Sequence, residues 1–135
     1  MSLKSIKAAL EARLVAIASP LPTEWENVTF TPPATGAYQA ADLLPASPEN
    51  PTLGATHHRE IGIFQIMLLY PLAGGSGPAY AKAVAIQAWF PRGLSLSGDG
   101  ITVRIPRTPT IGPKRINGDR FCVPVSVRYE ADIFT

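Results

Sequence analysis

The chain has 135 residues, enough for one domain with a sizeable core. Hydrophobic residues make up 46% and charged residues only 16%, against about 25% in an ordinary soluble domain, while 14 prolines exclude long uninterrupted helix or central strand through much of the sequence. A formal net charge of +2 is too small for a dedicated nucleic-acid binder, so the thin charge points instead to surface intended for other subunits.

"SLKSIKAALEARLVAIAS" opens with Ser2 as a plausible cap and sets Leu3, Ile6, Leu10, Leu14 and Ile17 on one helical face. The helix is expected to run to about Ala18 and to stop before Pro20 and Pro22. Lys4, Lys7, Glu11 and Arg13 break any apolar leader region, so no signal peptide is expected. "WENVTFTP" reads as a short strand. From Pro32 to His58 five prolines leave only "AYQAADLL" extended. Yet Tyr38, Leu43, Leu44 and Leu53 give this stretch the bulk of an arm that lies against something, such as a neighbouring copy.

"REIGIFQIMLLYP" is the strongest strand. It carries Ile61 and Ile63 on one face and Phe64, Ile66 and Leu68 on the other, which predicts a central strand covered on both sides. The apolar run here is too short to span a bilayer and contains Gln65 and Pro71, so a soluble, cytoplasmic protein is expected. After a glycine-rich loop, Ala79, Ala83, Ile86 and Phe90 line a second helix that ends at Pro91. "ITVRIP" follows as a strand with Ile101, Val103 and Ile105 inward. Asn117-Gly118 is a two-residue hairpin signal. "DRFCVPVSVRYEADIF" alternates as a half-buried antiparallel strand, and Pro124 puts it at a sheet edge or a bulge. The whole reads as a single α+β domain over residues 1–135. A mostly antiparallel, mixed sheet of about four to six strands packs with two helices and carries long proline-rich loops.

Reactive chemistry finds little support. "GGSGPAYAK" lacks the G-x-x-x-x-G-K-[ST] cradle and the G-x-G-x-x-G spacing; Gly74, Gly75 and Gly77 read as a corner and Pro78 as a helix start. His57 and His58 are adjacent on an extended chain and point to opposite faces, so they cannot easily share a metal. Glu24 and Glu26 flank Trp25 as the nearest thing to a carboxylate pair. Cys122, the one cysteine, sits in an apolar run as an inert thiol, and no serine has the G-x-S-x-G elbow. No enzyme activity, cofactor or metal is expected. Arg104, Arg107, Lys114, Arg115 and Arg120 gather in the C-terminal third, but Asp99, Asp119, Glu130 and Asp132 lie among or near them. A solvated or subunit-facing surface therefore outweighs DNA contact.

"WENVTFTP", "GIFQI" running into "YPLAGGSG", "AIQAWF" and "VPVSVRY", in that order and spacing, resemble the small tail-terminator (minor tail protein U-like) proteins of long-tailed bacteriophages and prophages. The resemblance implies a ring, commonly of six subunits, though an isolated subunit could be a monomer. The ring would cap the head-proximal end of the tail tube, stop its polymerisation and meet head-completion proteins. The implied partners are other copies, the major tail tube protein and a head-completion or neck protein, with no membrane and no specific nucleic-acid recognition. Its place would be the virion tail, assembled in the bacterial host cytoplasm. Candidate subunit or partner contacts are Leu53 on the arm, Arg104, Arg107, Lys114 and Arg115 on the basic extension, and Pro124. Deleting residues 45–55 should then impair assembly and spare the fold. The alternatives are another virion component, such as a connector, neck or tube subunit, and a small-ligand-binding or enzymatic domain using the glycine corner.

Overall fold

A computed structural model describes residues 2–72, 74–98 and 100–134, without the side chain of Ser2; the cap expected there and Asp99 fall outside the described parts. The first helix, α1 (Ser2–Val15), buries Ile6, Leu10 and Leu14 completely, as their spacing predicts. Leu3, the first member of the predicted stripe, is 40% exposed instead. The helix stops three residues short of Ala18. Ser19 takes a φ of 54° and the last turn tightens into an Ile17-to-Leu14 hydrogen bond.

Of the strand expected over "WENVTFTP" only Trp25 is in a strand: β1 is Thr23–Trp25 and lies ahead of it. Asn27 enters the left-handed region at φ 56°, which asparagine tolerates better than most residues, and the chain turns there, leaving Val28 exposed. The supposed arm is largely structured. Residues 33–36 are pinned by Arg120, and β2 (Tyr38–Pro45) is a full strand between β1 and β3 (His57–Pro71). Residues 32–37 and 46–56 remain outside helix and strand, apart from a bridge between Glu49 and Arg59. The second helix, α2 (Gly77–Trp89), is followed by β4 (Ser95–Gly98) and β5 (Ile101–Arg104), then by the two-residue β6 (Thr110–Ile111), β7 (Arg115–Asn117) and the long β8 (Arg120–Phe134).

Among the described residues the sheet runs β1-β2-β3-β8-β5-β4, with β6 and β7 also beside β8. Only the β1–β2 pair is parallel. The expected α+β class, mixed sheet and two helices are therefore present, with short β4 and β6 in addition. The 15-residue strands β3 and β8 pair along their full length and form the spine. Their inward residues Phe64, Ile66, Leu68, Val123, Val125 and Val127 meet α1 and α2, and each fully buried side chain of this kind is worth about 1.5–3 kcal/mol.

Two expectations fail here, the second only in part. The second face of β3 is not covered along its length: Ile61, Ile63 and Gln65 are only half-buried, because both helices lie on the other face. Cover exists only at one end, where Tyr38, Leu69 and Cys122 form a small cluster with Phe30 and Met67. And β8 is a central strand, not an edge, although the ladder beside Pro124 is bulged: between the β6 and β7 pairs, Gly112, Pro113 and Lys114 stand against only Val123 and Pro124. Pro124 pairs with Met67 on one side, and on the other its carbonyl accepts from Gly112 N at 2.8 Å. Its ring nitrogen faces that same side, in the gap between β6 and β7, so no ladder donor is missed there. The Asn117-Gly118 hairpin forms one residue later than its signal, with Gly118-Asp119 as the loop and Gly118 at φ 63°.

Candidate functional site

The glycine loop is a corner. Gly75 alone among its described glycines needs a positive φ, 78°, and Pro78 lies in the first turn of α2. The neighbouring Lys82 amino group turns away to donate to the Ser19 carbonyl at 2.7 Å. Among the described residues no group of three or more metal-ligating side chains forms, and His57 and His58 do point apart. Cys122 is buried, and that burial pushes its thiol pKa up, as befits an inert group. Glu24 and Glu26 line one groove with Asp42, and Glu26 accepts the Leu43 N–H there at 2.5 Å. Burial and the neighbouring Glu26 raise the Asp42 pKa against the pull of Lys7.

The densest polar cluster lies on the open face of the sheet where β3, β8 and β5 meet. Asp132 holds three partners: His57 Nε2 at 3.0 Å, Arg59 Nε at 2.9 Å and Arg104 Nη2 at 2.9 Å. Arg104 Nε also donates to Glu130 at 3.2 Å. The hydrogen bond from His57 leads the causes that hold Asp132 well below the usual carboxylate range, with Arg59 and Arg104 adding to it against the cost of burial. His57 stacks on Phe134 with 4.5 Å between ring centres, and its Nδ1 lies 3.2 Å from Thr52 Oγ1. Glu49 pairs with Arg59 through both backbone hydrogen bonds, 2.7 and 2.8 Å. The network thus clamps both ends of the 46–56 loop while Leu53 between them projects fully into solvent.

The sequence-predicted contact residues do not converge on one place. Arg104 belongs to the Asp132 network, Arg107 lines an exposed groove, Lys114 and Arg115 stand exposed at the start of β7, and Pro124 is buried within the sheet. Sequence reading missed the outer face of α2. Tyr80, Ala81, Val84, Ala85 and Ala88 all face solvent there, and none is charged. The signal was available: "GPAYAKAVAIQAW" has apolar residues all round and one charge.

A family model described as phage tail terminator protein matches residues 5–129. A solved structure that bears only a sequence identifier is 32% identical, covers 100% of this chain and 99% of its own, and superposes with a TM-score of 0.82. A chain from the virion of a native gene transfer agent particle shares the fold at a TM-score of 0.66 and 18% identity, over 96% of each chain. No curated protein sequence matches.

Proposed function

This chain belongs to the phage tail terminator family and is a structural protein of the virion tail, and from that premise we propose that copies of it close into a ring at the head-proximal end of the tail tube. There the ring stops tube growth and offers a surface to the head-completion proteins, with residues 1–135 acting as one domain. The outer face of α2 carries the reading. A helix that faces water keeps a charged or polar outer stripe, whereas this one presents alanines, Val84 and Tyr80. Lys82 and Gln87 do not dress that face, since each is bonded to a loop carbonyl, of Ser19 and Pro109. Such a surface fits a protein neighbour, and the exposed Leu53 gives a second apolar contact to the tube or to the next copy.

Negative-stain imaging of the purified protein, alone and mixed with tail tubes, tests the proposal. Rings, or caps at one end of each tube, are expected. Tubes left bare at both ends by a protein that stays monomeric would reject it, as would normal tail lengths in a phage lacking the gene.

A further inference from the structure

We propose that neighbouring copies join head to tail through two oppositely charged grooves on opposite sides of the sheet; the inference rests on the ring reading above and names the surfaces that close it.

The acidic groove, about 620 Å³, lies at the β1 edge and is lined by Glu24, Glu26 and Asp42 around Trp25 and Ala40. Among the described residues no basic side chain lines it. Glu24 and Asp42 are exposed and have no ion pair among the described residues, and the nearby Lys7 is engaged by Glu11 at 2.5 Å. The basic groove, about 520 Å³, lies on the side of β8 away from β3, where β5 has left the ladder and β6 has not yet joined it. Arg92, Arg107 and Arg128 line it with Pro106, Thr108 and Thr110, and among the described residues no carboxylate does; Glu49 and Glu130 lie in the adjoining groove that Arg107 and Arg128 also line. All three arginines are exposed, and none has an ion pair among the described residues. Two carboxylates are therefore left over on one flank, beside Glu26, which is held by the Leu43 N–H, and three guanidinium groups on the other. That guanidinium fork matches a carboxylate in shape as well as charge.

Their placement favours a contact between copies. Asp42 pairs with Gln65, Gln65 with Ser126 and Ser126 with Thr110, so one cross-strand row connects the acidic groove to the basic one. The grooves sit at the same height along the strands. A neighbour can bring its acidic groove to this basic groove by rotation without sliding along the strands. Such head-to-tail contacts close into a ring when the rotation divides a full turn, whereas an added slide would build a helix.

The experiment uses two charge-reversed variants of the whole chain, Glu24→Lys with Asp42→Lys and Arg107→Glu with Arg128→Glu. All four positions are exposed, and thermal unfolding confirms that each variant folds. Self-association, read by sedimentation and imaging in solution and at tube ends, should fall more than about tenfold for either variant alone, because like charges then face each other. An equimolar mixture should recover it, since copies of the two kinds alternate with matched grooves. Rings from either variant alone at wild-type strength would overturn the groove assignment and leave the ring reading standing. A wild-type chain that forms no ring and caps no tube would overturn both. Short duplex DNA that binds the wild type and not the arginine variant, with self-association intact in that variant, would give the basic groove to phosphate and also overturn the inference.

Discussion

Arg120 shows how far a residue's role depends on its neighbours in space. In the sequence it belongs to a basic group read as surface, yet it is 7% exposed, donates to the Pro33 and Gly36 carbonyls, and lies 4.9 Å over the Tyr38 ring. Arg120→Ala leaves two carbonyls unpaired and should cost about 1–3 kcal/mol in urea unfolding; an unchanged midpoint would contradict the role given to it here. Asp132 is the second case. Its depressed pKa means that the native state holds it ionised at pH values where the unfolded chain is already taking up a proton. The stability it supplies is present above the ordinary carboxylate range near pH 4 and is lost as pH falls below it. Asp132→Asn should therefore destabilise the chain at pH 7, by about 1–2 kcal/mol after discounting for partial exposure, with the gap to wild type narrowing progressively as pH falls below about 4. A gap that stays constant with pH would show that the carboxylate is not responsible.

Within the elements, two glycines carry opposite expectations. Gly62 on β3 faces Tyr129 across the β3–β8 pair, and a Cβ there would lie 2.5 Å from the Tyr129 hydroxyl and 2.6 Å from the Leu44 carbonyl oxygen. Backbone cannot yield as a side-chain tip does, so Gly62→Ala should lower stability by about 1–3 kcal/mol. Gly77 opens α2 with nothing within 4 Å of its added Cβ and no positive φ, so Gly77→Ala should leave stability level or raise it by up to about 1 kcal/mol. Thermal unfolding of the pair checks both signs, and a large loss at Gly77 would reopen the view of that loop as more than a corner. The glycine run turns the chain into α2 as its spacing suggests, with a positive φ at Gly75 alone among its described glycines. The need for Gly62, and for Gly112 against the Pro124 ring, was not legible from spacing, because each answers to an atom on another strand.

For the molecule as a whole, the contact surfaces lie at positions that add nothing to the core. Val84→Asp on α2 and Leu53→Ser on the 46–56 loop should each leave the unfolding temperature within a degree or two, since surface changes usually fall within about 0.5 kcal/mol. Both should weaken tube capping in negative-stain images. Capping at wild-type level by both variants would move the contact elsewhere. The deletion of residues 45–55 cannot spare the fold: Pro45 pairs with Gly62, five residues and about 17 Å along β3 from His57, and the loop is what bridges that span.

Much was legible in the linear order. The apolar periods of α1, α2, β3 and β8 mark the core side chains, since a helix or strand must bury its own stripe whatever it meets. The family resemblance rested on that same order, and the family match over residues 5–129 agrees with it. The tertiary structure alone decided which face of β3 stays open, that β8 is central despite Pro124, that Arg104 is bound to Asp132 and Glu130 on that open face, and that Arg120 turns inward to the Pro33 and Gly36 carbonyls. It also brought Asp42 and Thr110 to the two ends of one row. Those outcomes depend on strand register and on contacts between residues tens of positions apart, which local propensity does not encode.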